Sequence, residues 1–152
     1  MTKLYYSPGA CSLSPHIALR EAGLPFDLVM ASTKTKKLAD GTDFHTISPK
    51  GQVPVLEFDD GQRLTEGPAI VQYIADLKPE TGLAPAAGTL DRYRLQSALT
   101  FINSELHKLI GALFNPAFRA EDKPAQVERI RTRLGQFSAQ LGEREWLVGD
   151  RF

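Results

Sequence analysis

Apolar and polar positions change their spacing past the middle of this chain, and the change divides it in two. In the first half, apolar residues come in short runs bounded by turn residues. Lys3-Leu4-Tyr5-Tyr6, Phe26 to Met30, Val55 to Phe58 and Gln62 to Thr65 each read as a strand. Ile17 to Ala22 reads as helix, stopped by Gly23 and Pro25. The first three elements make a β-α-β unit, whose spacing suits a parallel pair joined by a helical crossover. Ala31 to Ile47 is polar and weakly patterned, which predicts loop with one short helix. Asp60-Gly61 is a hairpin signal. Pro68 fits the first position of a helix, and Ala69, Ile70, Tyr73, Ile74 and Leu77 then fall at helical spacing.

Lys78 to Thr89 holds Pro79, Gly82, Pro85 and Gly88 and reads as a linker. Beyond it the period is helical throughout. Leu95, Leu99, Ile102, Leu106, Leu109 and Leu113 make a stripe down one long helix, and Val127, Ile130, Leu134, Phe137 and Leu141 make another. Asp122 and Pro124 start the second, and Arg129, Arg131, Arg133 and Arg144 form its solvated side. Two such helices pack as an antiparallel hairpin. The pattern therefore predicts an α/β domain over 1–80, a linker over 81–88 and an all-helical region over 89–152.

Composition narrows the function. The chain has 152 residues, room for one domain or two small ones, and 42% of them are apolar, enough for a core. Eighteen basic residues balance eighteen acidic ones, so charge points to neither nucleic acid nor an anionic membrane. A single cysteine excludes an internal disulfide and fits a reducing compartment. The start carries no signal-peptide core, and no apolar run nears the roughly 20 residues that span a bilayer. A cytoplasmic protein is the expectation.

Candidate chemistry centres on that cysteine. Cys11 follows a strand and the turn Ser7-Pro8-Gly9, just before a helix. Free N–H groups and the helix dipole favour an anion there, so a lowered thiol pKa and a reactive thiolate are expected. The alternative is a small buried hydrophobe. Pro54 cannot donate to a sheet ladder, which puts Val53-Pro54 at a strand end or an edge open to a peptide ligand. Glu66 and the Gly67 N–H could take the ammonium and carboxylate of an amino-acid zwitterion, or be a plain helix start. On the long helix, Ser97, Thr100, Ser104, His107 and Gly111 share a small, polar face, where His107 either lines a cleft or sits on the surface. The histidines and the cysteine lack metal-ligand spacing, so no metal is expected.

Taken together, YYSPGACSLSPHIALREAG, SPKGQVPVL, LTEGPAIVQYIAD and SELHK resemble cytosolic glutathione transferases, most closely the bacterial beta class, over essentially the whole chain. The resemblance implies a thioredoxin-like α/β N-terminal domain (βαβ, then ββα) and an all-α C-terminal domain. It implies glutathione as co-substrate, a small electrophilic or disulfide substrate, and a homodimer. Cys11 would form a mixed disulfide with glutathione, and His107 would act at the sulfur. Val53 and a cis Pro54 would pair with the cysteinyl part, and Glu66 and Gly67 would hold the γ-glutamyl end. Tyr6, Ser12 and Lys108 match positions lining the site. Thr100 stands where many relatives carry asparagine, and that role is not carried over. Relatives continue beyond Gly149 to Phe152 into further helices, so the resemblance implies that the helical domain here is incomplete and its leucine stripe partly uncovered. Glutathione-dependent reductive dehalogenation and a non-catalytic binding protein are the alternatives.

Overall fold

The computed structural model describes all residues, Met1–Phe152, and the chain forms two compact units, Met1–Ala84 and Pro85–Phe152. In the first unit β1 (Lys3–Tyr6), α1 (Leu13–Glu21) and β2 (Asp27–Met30) are followed by β3 (Val55–Glu57), β4 (Arg63–Thr65) and α2 (Gly67–Leu77). The four strands form one sheet in the order β2-β1-β3-β4. β1 and β2 are parallel, as the crossover requires, while β3 runs antiparallel to both β1 and β4. This is the thioredoxin-like arrangement. The helix begins at Leu13 rather than Ile17, because Leu13 to His16 offer nothing that prevents the turn from winding on. Phe26, Phe58 and Gln62 fall just outside the strands.

Strand alternation splits the core into two layers. Leu4 and Leu56 point to one face and pack with Leu19, Ala22, Ile70 and Ile74 of the two helices. Tyr5 and Val55 point to the other and pack with Ala31, Phe44, Ile47 and Val53. That second layer is built by the weakly patterned segment after β2, which contains a 3-10 turn at Phe44–Thr46 and two isolated bridges, Ala31 to Leu38 and Lys37 to Asp43. β3 is buried on both faces. It carries Glu57, only 8% exposed, which accepts from Lys3 Nζ at 3.1 Å, Tyr5 Oη at 3.3 Å and Arg63 Nε at 2.8 Å. A carboxylate so far from water persists because two cations and a hydroxyl replace its hydration.

The second unit holds α3 (Leu90–Phe101), α4 (Lys108–Ala112) and α5 (Lys123–Leu141). Where the leucine period predicts one continuous helix, Ile102–His107 winds as a π-helical segment between α3 and α4. The Ser104 hydroxyl donates to the Thr100 carbonyl at 2.8 Å, and Thr100 Oγ1 donates to Gln96 O at 2.7 Å. Side-chain donors of this kind compete with the α-helical ladder and ease its widening. Leu109 O accepts from Gln126 Nε2 (2.7 Å), Glu105 pairs with Arg133 (3.1 Å), and Phe101 stacks on Phe137 (5.7 Å). Rising numbers on one helix meet falling numbers on the other, so the pair is antiparallel. Leu106 is buried, whereas Ile102, Val127 and Leu134 remain exposed. No helix is long and apolar enough to cross a membrane.

Candidate functional site

The loop from Ser7 to Ser12 carries Cys11 between β1 and α1. It is closed on itself by Ser12, whose buried hydroxyl accepts from Ser7 N at 3.1 Å and donates to Ser7 O at 3.2 Å. Tyr6, half-buried at the end of β1, leads into it. Cys11 as a residue is exposed, but its sulfur turns inward and the thiol donates to the Val53 carbonyl at 3.4 Å. The Val53–Pro54 peptide is cis and immediately precedes β3, so it lies at the end of a central strand and not on an edge strand.

The expected low thiol pKa does not hold. Burial of the sulfur pushes the Cys11 thiol above its ordinary value; its own backbone N–H opposes this, and the negative charge of Glu66 adds to it. The helix start does little to offset this burial. Leu13 N is bonded to Ala10 O at 3.1 Å and Ser14 N to Cys11 O at 3.4 Å, so the turn uses donors that would otherwise face an anion. The Val53 carbonyl, as acceptor, also favours the protonated form.

Val53 belongs to a segment that is bonded within itself. Ser48 Oγ accepts from Gln52 N at 3.2 Å and donates to Gln52 O at 3.0 Å. Lys36 Nζ donates to Gly51 O at 2.8 Å. Gly51 has φ +61° and lies under the His45 ring: a Cβ there would come 2.7 Å from His45 Cε1. From this segment Lys50 reaches Glu66 with an Nζ–Oε1 distance of 3.0 Å. Glu66 caps α2 at φ +69°, ψ +113°, a conformation that costs a non-glycine residue about 1–3 kcal/mol. Strain of that kind collects at ligand sites. Beside it Gly67 has open space where a side chain would project.

One unit thus brings Cys11, Val53 and Pro54 together, with Glu66 and Gly67 at the start of α2. His107 and Lys108 are exposed residues of the second unit, at the junction of the π segment with α4. Ser97, Thr100, Ser104 and Gly111 are exposed as well. Lys50 stands within SPKGQVP, but no local signal pairs it with Glu66, 16 residues further on. Lys36 and Ser48 had none either, since their partners are set by the path of a segment without periodicity. A shallow depression lined by Thr2, Phe58, Asp59, Asp60, Gln62 and Tyr73 surrounds the β3–β4 turn and takes in none of these residues.

Known proteins resemble the chain over nearly its whole length. The family described as "Glutathione S-transferase, N-terminal domain" matches residues 9–77. Glutathione S-transferase GstA of Escherichia coli is 43% identical over 99% of this chain and 75% of its own. The solved ternary complex of BphK, a bacterial GST, is 57% identical with a TM-score of 0.95, covering 99% of this chain and 75% of that one. A sphingomonad glutathione S-transferase complexed with glutathione is 49% identical with a TM-score of 0.93 over the same shares.

Proposed function

The chain belongs to the glutathione S-transferase family, and from that premise we propose that it binds glutathione as co-substrate along the line from Cys11 to Glu66. The observation that carries this is the placement, within one unit, of a thiol on the Val53 carbonyl and of a strained carboxylate at the α2 start. The tripeptide offers complementary groups: peptide N–H and C=O for the Val53 backbone, an ammonium for Glu66, and a carboxylate for the Gly67 N–H. Lys50, already paired with Glu66, supplies a further positive charge beside that carboxylate.

Two reactions follow from one binding mode. In conjugation, glutathione loses its thiol proton to solvent, and its sulfur forms a bond to the electrophilic carbon as the leaving group departs with the bonding pair. In disulfide exchange, the Cys11 thiolate attacks a glutathionyl disulfide. The S–S bond breaks, a mixed disulfide forms at Cys11, and the released thiolate takes up a proton. A second glutathione thiolate then attacks the glutathionyl sulfur, which frees Cys11 and yields oxidised glutathione. His107 and Lys108 enter this proposal through the family's motif, His107 as a hydrogen-bond donor or proton carrier at the sulfur. The substrate is a small electrophile or disulfide, the working form a homodimer, and the compartment the cytoplasm.

Calorimetry with glutathione, turnover with a chromogenic electrophile, and intact mass after exposure to oxidised glutathione test the reading together. Binding and turnover are expected, with a glutathione adduct that disappears in Cys11→Ser. No glutathione binding by the intact chain would overturn it. His107→Ala is expected to lower the rate of disulfide reduction by about 10²-fold, the lower end for a lost proton-transfer group, with a smaller change in affinity. Sedimentation velocity and cell fractionation check the dimer and the compartment.

A further inference from the structure

The buried Glu57 cluster takes no part in the chemistry above, yet one of its members leaves the sheet. Arg63, on β4, gives Nε to Glu57 Oε2 at 2.8 Å, while its Nη1 donates to the carbonyls of Thr46 and Ile47, both at 3.1 Å. Those carbonyls close the 3-10 turn, a helix end whose acceptors favour a cation. From there the chain runs through the Ser48–Gln52 clasp, Lys50 and Gly51 to Val53. The stretch is bonded within itself by Asp43 to His45, Thr46 to Asp43 and Ser48 to Gln52. These bonds shape the stretch locally, and its position depends on what ties it to the rest of the unit. Packing of Phe44, Ile47 and Val53 is one tie. Lys36 to Gly51 and Lys50 to Glu66 are others, and Arg63 adds the tie to the sheet with direction, because a guanidinium held by Glu57 can meet those carbonyls in one geometry.

We infer that Arg63 is a positioning residue for ligand binding, fixing the Phe44–Val53 segment so that the Val53 carbonyl and Lys50 meet glutathione in register. The inference rests on the glutathione reading. Glu57 orients Arg63 in turn through one carboxylate oxygen, while Lys3 pairs with the other and holds the carboxyl in place.

Three variants of the full chain separate positioning from plain stability. Arg63→Lys keeps a cation for Glu57 but loses the planar fork, so it retains most of the stability. Arg63→Gln removes the cation from both Glu57 and the carbonyls of Thr46 and Ile47. Lys3→Met weakens the Glu57 cluster while leaving the bonds of Arg63 to Thr46 and Ile47. Hydrogen exchange of the amides of Ile47, Ser48, Gly51 and Gln52 is read without ligand, and S-methylglutathione, which cannot form a disulfide, is titrated by calorimetry. In Arg63→Lys the four amides are expected to exchange faster than in the wild type while those of β1 and β3 do not. The affinity should fall about tenfold, a modest version of what a misplaced binding group costs. Lys3→Met should lower the melting temperature with unchanged affinity. Wild-type exchange in both Arg63 variants, or an equal loss of affinity in Lys3→Met, would overturn the inference. Failure of the wild type to bind S-methylglutathione would instead overturn the glutathione reading, and the exchange data would still decide whether Arg63 anchors the segment.

Discussion

Cys11 shows how one residue answers to its immediate surroundings. A thiol before a helix suggests an anion site, but donation to the Val53 carbonyl, loss of water and the charge of Glu66 all favour the neutral form. Because the chain has one cysteine, the difference in thiolate absorbance between the wild type and Cys11→Ser reports Cys11 alone, with the four tyrosines cancelling. In the ligand-free protein its titration midpoint should lie above the reference of about 8.5, and alkylation should keep accelerating with rising pH through that midpoint. A midpoint below the reference would contradict the geometry. Glu66 predicts a trade between binding and stability. Glu66→Gly removes the cost of its positive φ and should stabilise the fold by about 1 kcal/mol in denaturant titrations. The same change should weaken glutathione by about 1.5–2 kcal/mol, roughly ten- to thirtyfold, because the ammonium loses its carboxylate.

At the scale of elements, the sheet carries its ionic cluster on the face opposite the helices. Bonds from Arg63 and Lys3 hold the Glu57 carboxyl below the usual carboxylate range, although burial works against them. The folded protein therefore binds a proton there less readily than the unfolded chain does. The stability this provides is present above the unfolded pKa, about 4.3, and is lost as pH falls through the lower folded value. Glu57→Gln should cost about 2–3 kcal/mol near neutrality and flatten that acid limb in melts recorded against pH. Gly51→Ala is a further test. Its positive φ and its closeness to the His45 ring both oppose a side chain, so a loss of about 1–2 kcal/mol and a disturbed Val53 loop are expected. The interruption of the long helix at Ile102–His107 was not legible in the leucine period. Apolar spacing of four and three is compatible with α winding, and only the hydroxyls of Thr100 and Ser104 hint at the change.

Across the whole molecule the two units differ in how they hold together. Both clusters of buried apolar residues belong to Met1–Ala84, while Val127 and Leu134 of the second unit stay exposed. Amides of β1 and β3 should accordingly be far better protected than those of α5, as hydrogen exchange followed by mass spectrometry would show. The chain spans about three quarters of the length of the relatives it matches. What the sequence determined by itself was whatever depends on neighbours along the chain. Period-two and helical spacing set the element types, Gly and Pro set the turns, and local motifs brought Cys11, Val53, Pro54, Glu66 and Gly67 to notice. Tertiary structure decided what depends on residues far apart in sequence. The direction of the Cys11 sulfur, the pairing of Lys50 with Glu66 and the reach of Arg63 to Thr46 and Ile47 all follow from the antiparallel seating of β3 between β1 and β4. The physical reason is that periodicity records which side of an element is dry, whereas a hydrogen bond across 42 residues, such as that from Cys11 to Val53, exists only once the sheet has set the distance.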